Sequence, residues 1–380
     1  MKMIFAPDSF KGSLSSIQVI EVLKVAAYKI FPDCEIIGIP IADGGEGTVE
    51  AIVLCSKGEY KQIKVKNTLG EDVLSTYGIF HNDSVIIEMA SASGLTLISP
   101  EQRNPLYTTT FGTGQLIKDA LDKGYTKINI AIGGSGTNDG GIGAMSALGV
   151  KFLDQEGKEV KPIGESLIQI IDIDIAGIHP LISKAEFTIM CDVNNPLLGP
   201  NGATYVYGPQ KGADEKILEQ LEEGMKNYAN VIERKFHRNI ANEPGAGAAG
   251  GLGAALQLFT GAKLKPGIST ILEIINFKEA LENVDLVITG EGMIDWQSAF
   301  GKVPSGVGLL CKEKGIPVIA IVGGMGKAAQ DIYQYGIESI ITTINAEMNL
   351  EEAMERAEEL LLDAAERMFK VINIGMKIKK

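Results

Sequence analysis

The sequence predicts an α/β protein in which a flavodoxin-like parallel sheet domain is interrupted by a second, inserted α/β domain. Three observations carry this expectation. The chain opens with a β-α-β-α alternation, turns to alternating short strands after residue 60, and resumes the βα rhythm near residue 284. Strands that alternate with helices imply parallel pairing. Two N-terminal and three C-terminal units then make five strands, in the order 2-1-3-4-5 if the third lies on the far side of the first. The expected boundaries are 1–60 with 281–380 for the sheet domain and 61–280 for the insert.

The elements follow in order. Residues 2–6 form a short apolar strand. Ser15 with Gln18 makes a capping box, and Ile17, Ile20, Leu23, Ala27 and Ile30 recur at helical spacing behind it. A second strand is expected at 36–41 and a helix at 49–56. Alternation at Ile63 and Val65 and again over 85–88, with turns at Leu69-Gly70 and His81-Asn82-Asp83, predicts antiparallel strands. Strands at 127–132 and 187–191 lie among glycine-rich loops. The late units place strands at 284–289, 317–322 and 339–343 and a helix at 304–314. One final helix begins at Asn349 with Glu352 in the capping pattern, and residues 376–380 are a frayed tail.

Composition excludes several classes. Lys and Arg total 35 against 48 Asp and Glu, a net charge of −13. Nucleic-acid binding rests on basic residues that neutralise phosphates, so it is not expected. The opening residues are too weakly apolar for a signal peptide, and the uncharged stretch from Gly245 to Ala262 is too glycine-rich for a bilayer span, so no membrane role is expected. The four cysteines show no C-x-x-C spacing, which argues against zinc and points to a reducing cytoplasm. The histidines His81, His179 and His237 are scattered, and no heptad pattern points to a coiled coil. Glycine is 45 of 380 residues, well above the usual ~7%, so many loops need special backbone angles.

In an open parallel sheet, ligands bind beyond the carboxyl ends of the strands. Asp8 follows the first strand, with Lys11 and Gly12 behind it. Asp43 follows the second. Glu291, Asp295 and Lys302 follow the strand at 284–289. Asp8, Asp43 and Glu291 therefore crowd one edge, where a cation or substrate hydroxyls would relieve their repulsion. In the insert, the run from Gly133 to Gly141 reads as a phosphate or polyol cradle, with Ser135 and Thr137 as hydroxyl donors and backbone N–H groups at a helix start. Asp192 ends the strand at 187–191. Lys211 either contacts phosphate or lies solvated on the surface. Two motif matches lack their context. Gly245-Ala-Gly-Ala-Ala-Gly250 follows no strand, and Gly323-Gly-Met-Gly-Lys327 has Ala328 where a P-loop needs Ser or Thr.

These stretches resemble the type I glycerate kinase family, the bacterial glycerate 2-kinases. The resemblance lies in seven motifs in order: Ala6–Leu14, Pro40–Thr48, Gly133–Gly141, Gly199–Ala203, Gly208–Ala213, Gly245–Gly253 and Asp285–Gly292. It implies ATP-dependent phosphorylation of D-glycerate to 2-phosphoglycerate, or to 3-phosphoglycerate, in the cleft of a two-domain α/β protein. Magnesium is the implied metal, with Glu291 and Asp295 as its carboxylates. Asp43 or Asp192 would accept the hydroxyl proton. Lys11 would neutralise phosphate or carboxylate charge, as would Lys302. Asp8, Ser135, Thr137, Asn138, Asp139 and Lys211 would hold substrate or phosphate. The chain departs from the family at Met293, where an Arg is usual, at Ser298 for Thr and at Gly136 for Ala. The alternative is a non-catalytic protein of the same fold that senses a sugar acid or its phosphate.

Overall fold

The computed structural model describes residues 1–299 and 301–378. Its strands are β1 (Lys2–Pro7), β2 (Glu35–Gly38), β3 (Glu59–Lys66), β4 (Asp72–Phe80), β5 (Ser84–Glu88), β6 (Lys127–Ala131), β7 (Lys151–Leu153), β8 (Asp172–Asp174), β9 (Glu186–Met190), β10 (Lys263–Lys265), β11 (Leu286–Ile294), β12 (Val318–Met325) and β13 (Ser339–Thr342). The chain divides into two compact units. Residues 1–43, 50–56 and 266–380 make the first, and residues 44–49 and 57–265 the second.

The first unit holds a five-stranded parallel sheet in the order β2-β1-β11-β12-β13, the flavodoxin-like order expected from the sequence. The helix Ser16–Ile30 starts on the anticipated box: Ser15 Oγ accepts from Gln18 N, and Gln18 Oε1 accepts from Ser15 N. Its buried Val19, Ile20, Leu23, Ala26 and Ala27 share a core with Phe5 and with Leu361, Met368 and Phe369 of the helix Ala357–Ile378. Each large apolar side chain buried this way contributes about 1.5–3 kcal/mol.

Five expectations need adjustment. The strand expected at 284–289 runs to Ile294, and the one expected at 317–322 runs to Met325. Gly290 allows this, because a Cβ there would lie 2.0 Å from Ile321 O, and the bare backbone keeps the two strands paired through Ile294↔Met325. Gly323 and Gly324, read as a loop, are therefore strand. Residues 266–280 belong to the first unit, where Ile268, Ile271 and Leu272 of the helix Gly267–Ile274 are buried and Ile268 closes on Gly306 of the helix Val303–Lys314. The single last helix is two, Leu350–Glu355 and Ala357–Ile378, and Arg356 at the break pairs with Glu352 of one and Glu359 of the other. Residues 376–378 continue the second helix and are not frayed, while 379–380 lie outside the described residues.

The second unit holds a six-stranded sheet in the order β10-β9-β6-β5-β4-β3. β5, β6, β9 and β10 are parallel, and β3, β4 and β5 pair antiparallel, as the alternation predicted. Its core includes Tyr77, Ile87, Ile130, Ile189, Met225 and Leu256. Among the described residues, no helix is long and apolar enough to cross a membrane.

Candidate active site

The first unit gathers a set of charged side chains just past the end of β1 and along the last residues of β11. Pro7 pairs with Gly290 in the parallel register, and Asp8 N donates to Gly290 O at 2.8 Å. That register sets Asp8 near Glu291. The second strand's pairing continues past β2 through Ile39 N and Ile41 N, which donate to Phe5 O and Pro7 O, and so delivers Asp43 to the same edge. Lys11 Nζ donates to Asp43 Oδ2 at 3.2 Å, and Lys302 Nζ lies 3.6 Å from Glu291 Oε2. A cavity of about 330 Å³ opens here, lined by Asp8, Lys11, Glu291, Asp295, Lys302 and Met354 among others. That is within the range of small-molecule sites.

The electrostatics of this cavity follow from burial and crowding. Asp8 is 2% exposed, and Ser9 N and Ser9 Oγ donate to its Oδ1. Burial, reinforced by the Asp43 carboxylate, pushes the Asp8 carboxyl up to about 7, against the pull of Lys11. Burial likewise raises Glu291, opposed by a hydrogen bond from Ser298 and by Lys302. Among the described residues, the buried Glu291 Oε1 has no hydrogen-bond partner. The Lys11 side chain stays largely exposed, and although partial desolvation works against its charge, the Asp43 and Asp8 carboxylates outweigh it and raise its proton affinity. The crowding foreseen on this edge is thus relieved in part by two lysines. Among the described residues, no group of three or more His, Cys, Asp or Glu side chains could form a metal cage by itself.

The second unit departs further from expectation. Asp139 is fully buried, and its carboxylate accepts from Thr110 N, Thr110 Oγ1, Gly141 N and Gly143 N. Burial raises its pKa while those donors oppose the shift. The amides at the start of the helix Ile142–Ala147 are therefore spent on Asp139 and, through Ala144 N, on Thr110 Oγ1; they do not face an anion. Thr137 and Asn138 are buried as well, and Asn138 Nδ2 donates to Thr204 Oγ1. Gly250 explains the glycine-rich run 245–253. It sits at φ +66°, and a Cβ there would lie 2.0 Å from Thr137 O. Only the first part of the Gly133–Gly141 loop reaches solvent, at Gly134 and, half-buried, Ser135.

Lys211 is neither solvated nor on the surface. It is 2% exposed, and its Nζ donates to Ser135 Oγ at 2.9 Å and to Thr137 O at 2.6 Å. Burial pulls its pKa down to about 7, with Asp139 opposing. Asp192 is exposed just beyond β9, in the second unit.

The structure thus brings Asp8, Lys11, Asp43, Glu291, Asp295 and Lys302 together, and separately Ser135, Thr137 and Lys211. Sequence reasoning missed Thr110, the anchor of Asp139, and Leu350 and Met354, which line the cavity. The last two carried a signal, because Asn349 caps a helix just beyond the carboxyl end of β13. Met293 lies half-exposed at the cavity on β11, so the departure from Arg falls on the site itself.

Comparison with known proteins agrees on one family. A model described as the glycerate kinase family matches residues 3–373. A glycerate kinase of Halalkalibacterium halodurans is 44% identical over 364 residues, covering 96% of each chain. The glycerate 2-kinase of Escherichia coli (strain K12) is 43% identical over 378 residues, covering 99% of each. A crystal structure of a protein assigned as glycerate kinase 2, from Salmonella typhimurium LT2, superposes with a TM-score of 0.87 at 41% identity over 99% of both chains.

Proposed function

The chain belongs to the glycerate kinase family, and from that premise we propose that it transfers the γ-phosphoryl group of ATP to D-glycerate, giving 2-phosphoglycerate. The observation that carries this reading is the cavity in which buried acids stand beside two lysines. Phosphoryl transfer asks a protein for positioning and for charge stabilisation. Lys11, held by Asp43, and Lys302, held near Glu291, supply cations for carboxylate or phosphoryl oxygens. The attacking hydroxyl must lose a proton. A base poised near the working pH does this best, and Asp8, with its pKa near 7 and, among the described residues, no lysine ion pair, suits the task better than Asp43 or the exposed Asp192.

Magnesium fits the residues present. It keeps water and phosphate oxygens as ligands and takes only one or two carboxylates from a protein. Glu291, with a buried oxygen lacking a partner, and Asp295 on the same cavity would hold it. When bound it neutralises charge on the phosphates. The four cysteines are unbridged, which suits the reducing cytoplasm we propose as the compartment.

The test couples ADP release to D-glycerate, with phosphorus NMR of the product. Glycerate-dependent ADP release and a phosphate on the C2 oxygen are expected. A C3 phosphate would move the product to 3-phosphoglycerate. Binding of glycerate with no ADP release would overturn the enzyme reading in favour of a sensing protein.

A further inference from the structure

We infer that Lys211 is a positioning residue that makes the Ser135 hydroxyl an obligate donor to a phosphate oxygen of the nucleotide. The inference rests on the reading that this chain binds ATP, and it adds a contact outside the Asp8 cavity. An ammonium group has three donors and no acceptor. The Lys211 Nζ spends one donor on Ser135 Oγ and another on Thr137 O. While Lys211 carries its charge, the Ser135 oxygen must accept, and its own hydrogen points elsewhere. Among the described residues, none takes that hydrogen. Ser135 is half-buried and its neighbour Gly134 is exposed, so the hydrogen is offered at the surface of the loop.

The loop is held for this purpose. Leu95 N donates to Gly134 O and Gly136 N donates to Ser93 O, which brackets Ser135 in an isolated β-bridge with Gly94. Behind it lies a buried positive charge that forms no ion pair among the described residues. Asp139 is the carboxylate whose charge reaches it, and that group is already bound by four of the protein's own donors. A buried ammonium without a counter-ion is costly. A phosphate seated on Ser135 would offset that cost and favour the charged form of Lys211.

The experiment is a double-mutant cycle on binding, read by calorimetry with tripolyphosphate and, separately, D-glycerate. Ser135→Ala and Lys211→Met should each weaken tripolyphosphate by about tenfold, the scale of one hydrogen bond to a charged group. The double variant should be no weaker than the worse single variant, because both substitutions remove the same contact. D-Glycerate affinity should not change, and Ser135→Thr should restore tripolyphosphate binding. Should Lys211→Met fail to fold, Lys211→Gln, whose amide can also accept, takes its place in the cycle. Unchanged tripolyphosphate affinity, independent losses that multiply to about a hundredfold, or a loss confined to glycerate would overturn the inference. Such a result with glycerate-dependent ADP release intact would leave the kinase reading standing. Absent ADP release in the unmodified protein would mark failure of that reading instead.

Discussion

Asp8 and Asp139 are both aspartates buried on loops that follow a parallel strand, one in each unit, and burial pushes both carboxyls up. Their surroundings differ. Four donors from Thr110, Gly141 and Gly143 occupy Asp139, whereas among the described residues Asp8 receives Ser9 alone and faces a cavity. Burial of a carboxylate therefore does not mark a site. What marks it is hydrogen-bonding capacity left over at an open surface. Asp139 spends its capacity on the fold, and Asp8 keeps it for a ligand.

The largest effect should come from Asp139→Ala. It strips the acceptor from four donors that no water can easily reach, and each buried unsatisfied group costs about 1–3 kcal/mol. A loss of at least about 4 kcal/mol is expected from that sum, a large share of a typical total of about 5–15 kcal/mol. Urea unfolding followed by circular dichroism measures it. A variant with an unchanged midpoint and lost nucleotide binding would break the comparison, because Asp139 would then face ligand.

Asp8→Asn should do the reverse, cutting turnover by roughly 10²-fold or more with little loss of stability. Its pH dependence sharpens the point. The folded Asp8 pKa, about 7, lies above the ordinary 3.8. Between those values the native state holds a proton that the unfolded chain has released, so the Asp8 contribution to stability falls as pH rises through that window. It is fully present below 3.8 and fully lost above about 7. Compared with the wild type, Asp8→Asn should therefore gain relative stability from pH 4 to 7. Parallel stability curves for the two proteins would show that Asp8 titrates normally.

The same contrast explains what was legible in the sequence. The strand order was legible because βα alternation and apolar runs fix parallel pairing, and the edge carrying Asp8, Asp43 and Glu291 follows from strand order alone. Glycine was the harder letter. At Gly290 it serves a close approach between strands, and at Gly250 it makes room for Thr137 O. Both read as open loops in one dimension, since the atom each avoids lies far along the chain. The surroundings of Thr137, Asn138 and Asp139 were hidden for the same reason. Their partners Thr110, Thr204 and Gly250 come from distant segments, and no local spacing announces them. Lys211 was ambiguous because a lysine at a turn is usually exposed, and only the packing of the loop over it shows otherwise.

The smallest effect belongs to Asp43→Asn. Asp43 is bound to Lys11, whose side chain is largely exposed, and pairs of that kind contribute about 0–1 kcal/mol to stability. Its unfolding midpoint should hardly move. The catalytic consequence is indirect. Without the Asp43 charge, Lys11 is less firmly held and its proton affinity drops. The Asp8 carboxyl loses a repelling neighbour, so its own pKa should fall from about 7. The expected result is a drop in turnover of about tenfold, less than for Asp8→Asn. The acidic limb of the pH–rate profile should shift to lower pH. A loss as large as that of Asp8→Asn, with the acidic limb abolished, would make Asp43 the group that takes the hydroxyl proton. It would also reduce Asp8 to a buried neighbour, closer in kind to Asp139 than the cavity suggests.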